Sequence, residues 1–480
     1  MKQTDWKIVY NNYSGVSKRA INLLSKEAGR RLTRQEAVYR IYVLPCEKEG
    51  CEISKNTFFV SLYDESPMIR KFVSEEEVPE NGFTVKVTKN PDDEEGRFVF
   101  LTAKTEQELF YAVVSFLDDY IPEHAPWGGS NHMPDLIFDT PMDECCYSEV
   151  SDRKTRSIFT WGHSINDYRA YIDNMARCKL NEVVFWNDHI PINIDEVIEY
   201  AHSYGIRVVL GYSWGWREIG NKAKEITEET IENLKELIVN TYREKYAPVN
   251  CDGIYFQSFT ERPEEKVGGK LISELVTDMV NEVAEELWKI TPDLRLIFGL
   301  HASSVKNHLD QIARIDPKIE ILWEDCGEFP FYYNSAVDSE EYFNQTLEFI
   351  KKILRLRDGK GVGLVFKGVM MLDWSKGVGQ HGPYVMGENS EYIIEHDRRM
   401  RANAWRLFSA TWTQSGSDAY RAMQFINENQ LGEVNMCIAG TFDGGIYLPF
   451  ALCAQMFRRM DEPYSKMLTR VSRRDCIRVD

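Results

Sequence analysis

From residue 157 onward a short run of β-branched and aromatic residues alternates with a stretch whose apolar residues fall at helical spacing. The runs are SIFTWGH, NEVVFWNDH, IRVVLGYSWGW, GIYFQSFTE, LRLIFGLHAS, IEILWEDCG and GLVFKGVMMLDW, with NMCIAGTFDGG as an eighth. The stretches between them read as helices over 166–179, 194–204, 227–245, 270–290, 305–313 and 339–356. Strands that alternate with helices pair in parallel through right-handed crossovers. Eight such units close into a (β/α)8 barrel. An open doubly wound sheet is the alternative, but it would want a G-x-G-x-x-G that opens a helix directly after a strand, and the match at Gly377–Gly382 runs into Pro383 instead of a helical stretch. The fold class expected is therefore α/β, a TIM barrel over residues 150–465. A largely helical segment at about 390–430 fills the gap before strand eight, either as one helix or as an inserted hairpin.

Residues 1–145 have a different rhythm. WKIVYNN, AVYRIYVLP, NTFFVSLYD, GFTVKVTK and RFVFLTA read as strands, with helices over 16–32 and 105–121. A Pro-, Gly- and Asp-rich stretch, PEHAPWGGSNHMPDLIFDTPMDE, reads as the linker. A smaller α+β domain is expected to precede the barrel.

A formal charge of −18, from 57 Lys+Arg against 75 Asp+Glu, disfavours nucleic acid or an anionic membrane as partner. No window approaches the length of a membrane span, and MKQTDWKIVYNN has no apolar core of a signal peptide. Ten scattered cysteines without a C-x-x-C then read as reduced thiols of a cytoplasmic protein. Nine histidines form no H-x-x-x-H, so no metal or other cofactor is expected.

In a barrel of this kind the active site gathers at the carboxyl ends of the strands. Strand one ends on Trp161 and His163, strand two on Trp186 and Asp188, and strand three on Trp214, Trp216 and Arg217. Strand four ends on Glu261 and Arg262, strand five on His301, and strand six on Trp323, Glu324 and Asp325. Beyond strand seven come Lys367, Asp373 and Trp374, and beyond strand eight Asp443. Any one acid after a strand is as often a helix cap or a turn former: Asp188 precedes His-Ile-Pro and Asp443 lies in Phe-Asp-Gly-Gly. His301 reads equally well as a packed histidine. Only one of the neighbours Glu324 and Asp325 is expected to face the centre.

Carboxylates with indoles and no cofactor motif suit glycoside hydrolysis. One carboxylic acid protonates the leaving oxygen while a second carboxylate activates water or attacks directly. Indole faces bind sugar rings, and burial beside them lifts a carboxyl toward the acid's working range. Glu261 is the preferred acid, with Glu324 or Asp325, and Asp373, as its partners. The substrate expected is an oligosaccharide or glycoside.

The stretches FVFLTAKTEQELFYAVVSFLDDYIP and TRSIFTWGHSINDYRAYIDNMARCKLNEVVFWND add a resemblance. The layout is similar to exo-acting TIM-barrel glycoside hydrolases that include the α-glucuronidases, β-N-acetylhexosaminidases and α-N-acetylglucosaminidases. In the hexosaminidases an Asp-Glu pair follows strand four, and the Asp orients the acetamido group. Here Thr260 precedes Glu261, which puts that substrate-assisted route in doubt. The α-glucuronidases match better, with a lone acid after strand four and carboxylates after strands six and seven. Their resemblance implies Glu261, Asp325 or Glu324, and Asp373, with Arg217, Arg262 and Lys367 placed for a substrate carboxylate. A hexosaminidase relative and a non-catalytic sugar-binding barrel are the alternatives. Without an Asp before Glu261, inversion is the preferred stereochemistry.

Overall fold

The computed structural model describes residues 6–31, 43–124, 142–160, 163–187, 189–219, 226–326, 340–366, 382–440 and 444–478. Trp161, Asp188, Lys367, Asp373, Trp374 and Asp443 lie outside the described residues. The chain divides into two compact units: residues 1–152 with 203–205 and 465–477, and the remainder.

The first unit is built on a six-stranded mixed sheet in the order Val43–Lys48, Trp6–Tyr10, Asn56–Leu62, Asp93–Ala103, Gly82–Asn90, Cys145–Val150. The first four strands are parallel, and the last two pair antiparallel. Period-two alternation buries Val9, Phe59, Phe98 and Phe100 on one face, against Tyr63, Ile69, Val73 and Val78. Helix Glu106–Ser115 is capped by Thr105, whose hydroxyl accepts from the Glu108 N–H. The edge strand Cys145–Val150 was not anticipated. Its residues CCYSEV alternate only weakly, and five of the six stay partly or fully exposed. The C-terminal residues of this unit carry Arg470 and Arg474, which both reach Asp119.

The second unit is a closed barrel of eight parallel strands: Arg156–Phe159, Glu182–Trp186, Arg207–Ser213, Gly253–Gln257, Leu296–Leu300, Ile319–Cys326, Val362–Phe366 and Val434–Ala439. Each pairs with its neighbours in chain order, and the eighth closes on the first. The interior is layered. Phe159, Val184, Val209, Tyr255, Ile297, Leu322, Val365 and Cys437 form its apolar middle, with Trp186 above. Below them Glu182 takes Arg207 at 2.9 Å and Arg295 at 2.5 Å, and Arg295 also holds Glu320 at 2.5 Å. Burial alone would raise the Glu182 carboxyl, but the two guanidinium groups more than offset this and hold it below its usual range.

Tyr168–Arg177, Ile194–His202, Glu228–Thr241, Ile272–Ile290 and Glu340–Leu354 supply the outer layer. The run at 305–313 gives only one short turn of helix, Leu309–Ile312. Residues 391–429 form a single continuous helix and not a hairpin, capped by Ser390. No helix among the described residues is long and apolar enough to cross a membrane.

Candidate active site

Glycine and alternation sort the rim. On strand four, Tyr255 and Gln257 point inward, while Phe256 points out and stacks on Trp214 with ring centroids 3.7 Å apart. Trp214 is fully buried, and Trp323 likewise packs against Phe349 of helix Glu340–Leu354. Neither lines a cleft, which corrects their assignment as sugar-binding indoles. Period-two alternation sends Trp323 outward because Leu322 and Glu324 face in. Gly215, at φ +106°, parts the two neighbouring indoles: Trp214 enters the outer core and Trp216 turns toward Glu261.

Glu261 follows strand four with its side chain 36% exposed. The Trp216 indole N–H donates to its Oε2 at 2.6 Å. Trp216 also meets Trp186 edge to face at 6.3 Å. Behind Glu261 stands His301, its Nε2 3.8 Å from Glu261 Oε2 and 3.1 Å from Glu324 Oε2. Its Nδ1 lies 3.1 Å from Asp325 Oδ1. Glu324 has no exposed surface and accepts from the Tyr255 hydroxyl and, at 2.6 Å on each oxygen, from Gln257 Nε2. Asp325 also accepts from the Ala302 N–H at 3.3 Å. Glu324 and Asp325 therefore both belong to the cluster, joined through His301.

Gly299 makes that cluster possible. A side chain there would fall on the Tyr255 hydroxyl and the Glu324 carboxylate. Tyr255, Gln257 and Gly299 were not singled out from the sequence, although period two along GIYFQ already puts Tyr255 and Gln257 on one face.

The remaining candidates are scattered. Arg262 is buried with its Nε 3.4 Å from Glu264. Arg217 is exposed and lines a recess of about 440 Å³ with Trp186, His189, Ser213, Lys245 and Tyr246. That recess is lined by Trp186 but by none of Glu261, His301, Glu324 or Asp325. His163 is enclosed; burial pushes its imidazole down to about 4, and the Arg401 charge adds to the effect. Thr260, where a hexosaminidase pair would place its Asp, is fully buried, and its carbonyl accepts from Ser304. Among the described residues no group of three His, Cys, Asp or Glu is arranged to hold a metal ion.

No protein-family model matches the chain, and no curated protein matches it. Among solved structures, a GH138 enzyme targeting pectin rhamnogalacturonan II aligns over 99% of this chain and 51% of its own. The identity is 10% and the TM-score 0.49. A family GH115 4-O-methyl-α-glucuronidase with specificity for decorated arabinogalactans aligns over 91% of this chain and 54% of its own, at 12% identity and TM-score 0.46. CpGH84D aligns over 90% and 82%, at 13% identity and TM-score 0.42. The chain thus spans about half the length of the first two. At such identities the likeness concerns the fold, and the barrel stands on its own strand pairing.

Proposed function

We propose that the chain is an exo-acting glycoside hydrolase with Glu261 as its general acid. The observation that carries this reading is a partly exposed carboxyl at the mouth of a closed barrel, held by an indole N–H and backed by a buried, hydrogen-bonded Glu324–His301–Asp325 cluster. A general acid needs contact with solvent and substrate together with groups that tolerate the charge it acquires.

The second carboxylate of this reading is Asp373, expected after strand seven, with inversion as the outcome. Glu324 is the alternative, but it has no accessible surface and its oxygens are already taken by donors. The two partners predict different products. Glu261 Oε2 and Glu324 Oε2 share one nitrogen at 3.8 and 3.1 Å, so they would reach the inverting separation of about 6.5–9.5 Å only if nearly in line. Attack by Glu324 therefore predicts retention. Proton NMR of the first-formed anomer separates the two, and a retained product would transfer the second role to Glu324.

Aryl glycosides of glucuronic acid, N-acetylglucosamine, glucose and galactose, in both anomers, form the first screen. Glucuronic acid leads on the resemblance, and buried Thr260 gives no support to substrate-assisted hexosaminidase chemistry. Glu261→Gln keeps shape but removes the transferable proton. It should cost about 10²–10⁴-fold on glycosides with poor leaving groups and far less on activated ones. A variant with unchanged rates on every substrate of the parent would refute Glu261 as the acid. Sugar binding without turnover in the parent would instead favour the non-catalytic barrel.

A further inference from the structure

His301 stands among three carboxylates. The titratable groups facing it among the described residues are Glu261 beyond strand four and Glu324 and Asp325 on strand six, with Tyr255 one hydrogen bond further, on Glu324. Glu324 accepts from Tyr255 and Gln257, and Asp325 from the Ala302 N–H, hydrogen bonding that favours the ionised form of each. Both ring nitrogens of His301 then face acceptors at 3.1 Å. A ring that donates from both is an imidazolium.

We propose that His301 is a positioning residue for the acid: an imidazolium, clamped by Asp325 and Glu324, that stabilises the charge left on Glu261 when its proton departs. This rests on the reading of Glu261 as the general acid. In that step the Glu261 O–H bond breaks and its proton bonds to the glycosidic oxygen as the C–O bond to the sugar breaks. The C–O electron pair leaves with the oxygen, and the O–H pair stays on the Glu261 carboxylate. His301 keeps both its protons. The new charge forms 3.8 Å from His301 Nε2 and 2.6 Å from the Trp216 indole nitrogen. The Trp216 N–H and the imidazolium charge are both in place before the new charge develops, the arrangement in which such groups help most. Glu261 is exposed enough to recover its proton from solvent, so the ring need not shuttle one.

The experiment compares the parent, Glu261→Gln and His301→Gln on aryl glycosides of graded leaving-group ability. His301→Gln is expected to lower kcat by up to about 10²-fold on poor leaving groups, with little change on activated ones and in KM. A loss equal on both classes is the mark of a merely structural role and would overturn the proposal. A Glu261→Gln protein without leaving-group dependence sinks the acid assignment and this inference with it. Dependence in Glu261→Gln but not in His301→Gln sinks this inference alone.

Nitrogen-15 NMR of the labelled parent gives a second readout if His301→Gln does not fold. The His301 signals, assigned by through-bond correlation to its own backbone, should report two N–H groups near neutral pH and should move in Glu261→Gln. A neutral single tautomer, or no shift on Glu261→Gln, would overturn the proposal.

Discussion

At the scale of single residues, with Glu261 as the proposed acid, the indole N–H of Trp216 should matter most once Glu261 has ionised, because it is then a hydrogen bond to a charge. Such bonds are worth about 1.5–3 kcal/mol, or one to two powers of ten in rate. Trp216→Phe keeps a ring against Trp186 and removes the donor at 2.6 Å from Glu261. A loss of that order on poor leaving groups, with an unchanged melting temperature, is expected; equal activity on all leaving groups would assign Trp216 to packing alone. His163 gives a pH prediction. Its folded value, about 4, lies below its ordinary 6.5, so the unfolded chain binds the proton first as pH falls. Its stabilising contribution is whole above about pH 6.5 and is lost progressively toward pH 4. Urea unfolding across that window should show stability falling with acid, with a shallower slope in His163→Phe.

At the scale of elements, strand five decides whether the cluster fits. Gly299→Ala would put a methyl group onto the Tyr255 hydroxyl and Glu324. Overpacking of a filled interior costs about 1–3 kcal/mol. Here the strain falls on the donors that fix Glu324, so activity should drop more than the urea midpoint does. A Gly299→Ala protein with full activity would show that Tyr255 and Glu324 need not meet. Alternation along strands four and six was available in the sequence, since Tyr255 and Gln257 must share a face. The direction of Trp214 was not. It depends on the turn at Gly215, whose positive φ is a property of the folded loop.

At the scale of the whole molecule, the chain returns to its first unit at the end. Residues 465–477 belong to that unit, where Arg470 and Arg474 hold Asp119 at 2.9 and 3.0 Å. Truncation after residue 464 leaves all eight barrel strands but removes both guanidinium groups, leaving a largely buried Asp119 without their charge. Breaking a buried ion pair from one side costs about 3–5 kcal/mol. Differential scanning calorimetry should show a unit melting earlier than in the full chain, and an unchanged thermogram would make this tail dispensable.

The sequence by itself determined the βα rhythm, the closed parallel order it implies, and the carboxyl-end rim on which Glu261, His301, Glu324 and Asp325 stand. These follow from period, spacing and chain direction, all local properties. Only the tertiary structure decided that Glu324 and Asp325 meet at one imidazole, that Trp214 and Trp323 belong to the outer core, and that Gly299 clears space for Tyr255. Those outcomes depend on the stagger between strands far apart in the chain: Gly299 pairs with Gln257 on one side and Leu322 on the other. No single stretch of residues encodes that stagger, because it is fixed only when the eighth strand closes on the first.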